Sequence, residues 1–174
     1  LYGQGTWNHS ETFRSVFGLR YTDDEVYSEV TNFFGRQGTD ILQVDGSKVT
    51  SRFVIEKDID ENRMFYVSYT KGYKPGGSNL TYGREDVVAP IVVLPTFEEE
   101  VVDAYEFGLK ADIAGGRTRI NSAVFFYNYE GLQYQATDPE LFQGGVSNIA
   151  ESEIYGAEVE LSTYVTDSMI LDAN

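Results

Sequence analysis

The feature that most constrains this chain is the way its connections are sorted. Short turns of Asp, Asn, Ser and Gly alternate without exception with long connections. The short ones are Asn8-His9-Ser10-Glu11, Asp58-Ile59-Asp60-Glu61-Asn62, Ala114-Gly115-Gly116 and Thr166-Asp167-Ser168, residue types suited to tight reversals. The long ones cover residues 23–49, 75–98 and 133–148. All four prolines (Pro75, Pro90, Pro95 and Pro139) fall in or beside these connections, where a missing N–H costs no ladder hydrogen bond. An antiparallel up-and-down barrel in an outer membrane has this asymmetry, with short turns on one rim and long loops on the other. A soluble sandwich has no reason to sort its loops.

Between the connections the pattern is alternation, the mark of strands with one apolar and one polar face. In residues 12–22, Phe13, Phe17, Leu19 and Tyr21 share a face with Ser15, while Arg14, Gly18 and Arg20 oppose them. In residues 104–113, Tyr105, Phe107, Leu109, Ala111 and Ile113 form one row and Glu106, Gly108, Lys110 and Asp112 the other. From Glu153 onward, Tyr155, Ala157, Val159 and Leu161 oppose Gly156, Glu158, Glu160 and Ser162. Residues 1–7, 50–57, 64–74 and 117–132 are further strands, and 169–174 begins another, so the count is about eight. Within 119–129 both faces carry aromatics, and hydrophobicity alone does not orient that strand. The segments run about 9–12 residues, the length of a tilted membrane strand and longer than the ~5–6 of an ordinary one. The apolar rows are therefore expected to face lipid, with Glu106, Lys110, Glu158 and Glu160 lining a wet lumen. Gly18, Gly108 and Gly156 on the lumen side are expected to let strands bend or let other groups pack close.

Composition removes other classes. With no cysteine there is no disulfide framework or thiolate metal site. The single His9 cannot supply a zinc site and reads as a solvated turn residue. A net charge of −15 opposes nucleic-acid binding. Aromatic content of 14% opposes acidic disorder. The longest apolar run, residues 87–94, is too short for a spanning helix and is broken by Pro90. The chain opens on Leu1 without a signal-peptide core, which reads as a start removed or a segment of a longer protein.

At Tyr66-Val67-Ser68-Tyr69-Thr70-Lys71-Gly72-Tyr73-Lys74-Pro75-Gly76-Gly77 the sequence resembles the barrel of TonB-dependent receptors, in which such a phrase carries a strand into an external loop. Further stretches resemble the same family in the same order. They are Phe17-Gly18-Leu19-Arg20-Tyr21-Thr22, Tyr105-Glu106-Phe107-Gly108-Leu109-Lys110, and Asn121-Ser122-Ala123-Val124-Phe125-Phe126-Tyr127-Asn128-Tyr129 with Leu132-Gln133. Asn148-Ile149-Ala150 and then Tyr155-Gly156-Ala157-Glu158-Val159-Glu160 complete the set. No plug domain, TonB box or aromatic-terminated closing strand is present. A large transporter barrel has 22 strands, so residues 1–174 are expected to be part of one barrel domain, about eight strands forming an open curved sheet.

The resemblance implies an outer-membrane active transporter of a Gram-negative bacterium, importing a scarce ligand, most commonly a ferric siderophore. Its partners are the TonB energy-transducing complex, reached through the absent plug, and outer-membrane lipid. It implies no enzyme activity and no cofactor. Lys74, Tyr82 and Arg84 are the polar candidates for ligand contact on an external loop. The sharper chemical readings are weaker. Glu98-Glu99-Glu100 with Asp103 lacks calcium-loop spacing and reads as a solvated rim. Glu158 and Glu160 sit two apart on one strand rather than across a cleft. No G-x-S-x-G elbow accompanies any serine, and the Gly pairs 115–116 and 144–145 lack the following helix of a phosphate cradle. The alternatives are a passive or structural small barrel, whose last strand would pair with its first, and a soluble carbohydrate-binding sandwich.

Overall fold

A computed structural model describes residues 1–31, 39–79, 96–138 and 143–174. The described residues form an antiparallel sheet of eight strands without helix. In chain order the strands are β1 (Tyr2–Ser10), β2 (Phe13–Thr31), β3 (Thr39–Asp60), β4 (Arg63–Lys74), β5 (Gly77–Ser78), β6 (Thr96–Phe97), β7 (Glu100–Ile113), β8 (Thr118–Asp138), β9 (Gln143–Thr166) and β10 (Met169–Ala173). Each strand of the main sheet pairs with its sequence neighbour, in the order β1-β2-β3-β4-β7-β8-β9-β10. The two-residue β5 and β6 pair separately within the β4–β7 loop. Among the described residues β1 and β10 do not pair, so the sheet is open.

The short reversals are tighter than their polar clusters suggest. β1 turns into β2 at Glu11-Thr12 and β3 into β4 at Glu61-Asn62, each after a register shift, between Asn8 and Ser10 and between Asp58 and Asp60. His9 is therefore a strand residue at a bulge rather than a turn residue, although it is exposed. Its ring stacks 5.9 Å from Trp7 and lies 4.9 Å from Phe13, and Nε2 is 2.9 Å from the Ser15 hydroxyl. At the β7–β8 turn Ala114, Gly115 and Gly116 take φ of 52°, 67° and 82°, a left-handed run that two glycines make affordable.

The long connections correct the expected strand lengths more strongly. β2, β3, β8 and β9 run 19, 22, 21 and 24 residues, about twice the membrane-crossing length. Residues 23–49 and 133–148, expected as loops, are mostly ladder: Thr22 to Thr31 pairs continuously with Lys48 to Thr39, and Leu132 to Asp138 with Ile149 to Gln143. Their polar alternation resembles loop composition because, above the apolar zone, both faces of a hairpin meet water.

Register sorts every side chain onto one of two faces. Phe13, Phe17, Leu19 and Tyr21 of β2 align with Lys57, Phe53, Ser51 and Val49 of β3, and onward with Phe65, Val67 and Tyr69 of β4. Leu109, Phe107 and Tyr105 of β7 continue the face into Ser122, Val124 and Phe126 of β8 and Val159, Ala157 and Tyr155 of β9. The opposite face carries Arg14, Glu56, Met64, Tyr66, Lys110, Asn121 and Glu160. Glu106, Lys110, Glu158 and Glu160 thus share the polar face. The 117–132 strand is oriented by its neighbours: Val124 and Phe126 join the apolar face, Phe125 and Tyr127 the polar one.

The apolar face has no second layer among the described residues. Phe17 is 53% exposed, Val67 47%, Phe107 49% and Val124 52%, and among the described residues only Val54, Val101 and Ala111 are buried apolar side chains. Burying the exposed half of each such side chain is worth on the order of 1 kcal/mol, so a solvent other than water must cover the face. From Phe13 to Tyr21 the row spans eight steps, about 27 Å along the strand, or about 21 Å of height at barrel tilt. With side-chain reach this matches an apolar band of roughly 25 Å. On the polar face Arg14, Glu56 and Tyr66 are partly covered, while Phe17, Val67 and Phe107 on the other face stand exposed.

Candidate functional site: the inner wall and its loop rim

On the inner face the glycines make room for aromatics. The Tyr66 ring lies over Gly108, where a Cβ would sit 2.5 Å from the Tyr66 hydroxyl and nearer still to the ring. That hydroxyl donates to Glu106, and Lys110 Nζ stands 5.6 Å from the ring centroid. Phe125 covers Gly156 in the same way, at 2.8 Å from a would-be Cβ. Gly18 differs, with ordinary contacts of 3.6–3.8 Å to Gln4 and Arg52.

At the short-turn rim the inner face closes a basin of about 500 Å³ with paired charges on its walls. Arg14 bonds to Glu56 and, at 2.9 Å, to Asp58. Arg119 Nε donates to Asp112 at 2.8 Å, and Arg63 Nε to Asp60 at 2.7 Å. The Arg63 guanidinium, with help from the Asn62 amide, holds the Asp60 carboxyl below its usual range. These pairs are half-exposed and matter mainly as a hydrated, charge-balanced surface.

At the long-loop rim Lys74 ends β4, exposed and opposite Glu100 in register. Tyr82 and Arg84 lie outside the described residues, so Lys74 is the one predicted contact with a described position. On the opposite face of β4 and β7, in line with Tyr69 and Tyr105, Lys71 Nζ is 3.5 Å from Asp103, which also accepts from the Tyr69 hydroxyl at 2.6 Å, while Lys48 on the inner face of β3 pairs with Glu99. Burial, followed by the facing Asp24 and Glu99 carboxylates, pushes the Tyr73 phenol up, so it stays protonated. The acidic run 98–100 with Asp103 disperses onto separate donors: Glu99 to Lys48, Glu100 to the Gln133 N–H at 2.7 Å, and Asp103 to Lys71 and Tyr69.

Sequence reasoning on single residues missed Gln133 and Asn148. They face each other across β8 and β9. The Gln133 amide donates to the carbonyls of Pro75 (2.8 Å) and Glu98 (2.9 Å). Asn148 donates to the carbonyls of Glu98 (3.0 Å) and Gly131 (2.7 Å), and its Oδ1 accepts from the Glu98 N–H (2.8 Å). The available signal was their position within family-like phrases rather than any chemical pattern.

A single-layer antiparallel sheet with a lipid-covered aromatic face and a wet inner face is the wall of an outer-membrane β-barrel. More specifically, the chain belongs to the family of TonB dependent receptor-like β-barrels, which it matches over residues 1–173. It is a segment of an outer-membrane receptor barrel of the Gram-negative type. Its fold is similar to that of the ferric yersiniabactin uptake receptor from Yersinia pestis, with 19% identity and a TM-score of 0.74 over 98% of this chain and 24% of that one. It is also similar to the alcaligin outer membrane receptor from Bordetella pertussis, with 20% identity and a TM-score of 0.60 over 95% of this chain and 27% of that one. The chain spans about a quarter of the length of these structures.

Proposed function

We propose that the chain forms part of the wall and entrance of a TonB-dependent transporter that imports a ferric siderophore across the outer membrane. The observation that carries this reading is the agreement of the whole described sheet with the barrels of two receptors, one named for ferric yersiniabactin uptake and one for alcaligin. In this reading the wall acts as an enclosure rather than a catalyst. Its work is to enclose a hydrated path and to present loops, and the energy comes from the inner membrane through TonB acting on a plug domain carried elsewhere in the receptor. Lys74, Tyr82 and Arg84 are proposed ligand contacts from the β4–β7 loop. Lys74 supports this by standing exposed where that loop leaves the wall.

The test is uptake of radioactive iron supplied as a panel of ferric siderophores to cells whose only siderophore receptor is this one. Saturable uptake that disappears when TonB is deleted is the expected result. Uptake of none of the complexes, or uptake indifferent to TonB, would refute the reading. Lys74→Ala, Tyr82→Ala and Arg84→Ala should weaken ligand binding without changing receptor abundance.

A further inference from the structure

On the inner face, in the long-loop half of the wall, two arginines stand side by side. Register places Tyr2, Arg20 and Thr50 in one row across β1, β2 and β3, and Gln4, Gly18, Arg52 and Thr70 in the next inner-face row toward the short turns. Arg20 and Arg52 are therefore diagonal neighbours on adjacent strands, with Cβ atoms about 7–8 Å apart, within reach of one another for long side chains. Both are exposed. Among the described residues neither has an ion-pair partner, whereas Arg14 and Lys48, on the same face of the same two strands, are both paired.

The chain carries 28 acidic residues against 13 basic ones, so two adjacent cations without an acid do not reflect a shortage of acids. Inner-face carboxylates around them are engaged elsewhere, Glu56 by Arg14 and Glu106 by the Tyr66 hydroxyl. Like charges held this close disfavour each other, and an anion between them relieves that cost. The surroundings add donors and room. Tyr2 donates to Gln4 Oε1 at 2.6 Å, which occupies the acceptor end of that amide and leaves its NH2 end as a donor. Thr50 and Thr70 bring hydroxyls to the same face. Gly18 lies between Gln4 and Arg52, where a Cβ would touch Gln4 Oε1 at 3.6 Å and Arg52 Cβ at 3.8 Å, so its missing side chain leaves a gap below Arg20.

We propose that Arg20 and Arg52 form a carboxylate-binding subsite on the inner wall, which takes an anionic chelate through its carboxylate groups. A guanidinium fork meets a carboxylate with two parallel hydrogen bonds. Two forks on diagonal positions select a ligand with at least two carboxylates on a short carbon skeleton over one with neutral donors. The subsite names a chemical class for the ligand of the transport reading and rests on that reading. Binding is measured without TonB and without iron, so the two fail separately.

The experiment is isothermal titration of the full-length receptor, in nonionic detergent micelles at low salt, with metal-free propane-1,2,3-tricarboxylate as the probe. The native receptor should bind it and should not bind the corresponding triamide. Arg20→Gln and Arg52→Gln should each weaken binding about tenfold or more, the effect of losing charge-assisted hydrogen bonds, and the double variant should give no measurable heat. Arg52→Lys keeps the charge without the fork, so its affinity should fall between those of the native receptor and Arg52→Gln. Heat-modifiable gel migration confirms that each variant is folded. Equal affinity in the native receptor and the double variant overturns the proposal, as does equal affinity for inorganic sulfate. A native receptor that binds no tricarboxylate also overturns it. A lowered thermal midpoint in the double variant would then show that the arginines hold carboxylates of the receptor's own chain.

Discussion

Replacing Gly108 with alanine is the sharpest test of how the inner wall is packed. The new Cβ would lie 2.5 Å from the Tyr66 hydroxyl and closer to the ring, whereas carbon contacts settle at about 3.5–4.0 Å. Tyr66 must move by more than about 1 Å, and its bond to Glu106 must break. Overpacking of this kind costs about 1–3 kcal/mol, and a hydrogen bond to a carboxylate contributes about 1.5–3 kcal/mol when intact. The half-buried setting favours the lower ends, so the expected penalty is about 2–4 kcal/mol. Tyr66→Phe keeps the ring and should cost only about 1 kcal/mol. In a Tyr66→Ala background the clash is gone, and Gly108→Ala should become neutral or stabilising by about 0.5–1 kcal/mol through lower backbone entropy in the unfolded chain. Equilibrium denaturant unfolding of the four receptor variants in lipid vesicles gives the coupling directly. Additivity within about 0.5 kcal/mol would refute the claim that Tyr66 and Gly108 share one space.

Three further outcomes follow from the same geometry. Phe107→Arg, on the lipid face, should cost about 2–4 kcal/mol and reduce the yield of folded barrel in vesicles, whereas Glu158→Lys on the inner face should fold normally, both read by heat-modifiable gel migration. Gly131→Ala should strain a left-handed backbone by about 1–3 kcal/mol and loosen the loop stem, seen as faster amide exchange at Glu98 and Gln133. The folded Asp60 carboxyl titrates below its ordinary value of 3.8 because Arg63 and the Asn62 amide favour the charged form. Its stabilising contribution is therefore complete above about pH 4 and is lost as pH falls through the folded pKa. Arg63→Ala should move the Asp60 carboxyl resonance titration upward toward 3.8 in carbon-13 NMR.

The two-faced sheet was legible because lipid and water impose opposite chemistry on alternate residues: the rows from Phe13 and from Tyr105 assign their own faces. The 117–132 strand was not legible alone. Phe125 looks like a lipid-facing residue, and only its register opposite Gly156 shows that it fills an inner gap left by a missing side chain. The long hairpins were hidden for a related reason. Once strands rise above the apolar zone both faces are wet, so Asp23, Glu25 and Asp45 read as loop although they stand in ladder. The site was legible only as a region. Lys74 can be placed from the phrase that contains it, but Gln133 and Asn148 act on backbone carbonyls and an N–H of distant residues, and such partners leave no pattern in the sequence.

The continuous β2–β3 ladder above Tyr21 and Val49 has a mechanical consequence. Ten further residue pairs carry the hairpin to Thr31 and Thr39, about 33 Å at strand rise. A force or a bound body at the tip acts through a hydrogen-bonded lever whose lower arm is gripped by the bilayer. Bending it strains the ladder along its length, so the paired residues up to Thr31 and Thr39 form a stiff arm continuous with the wall.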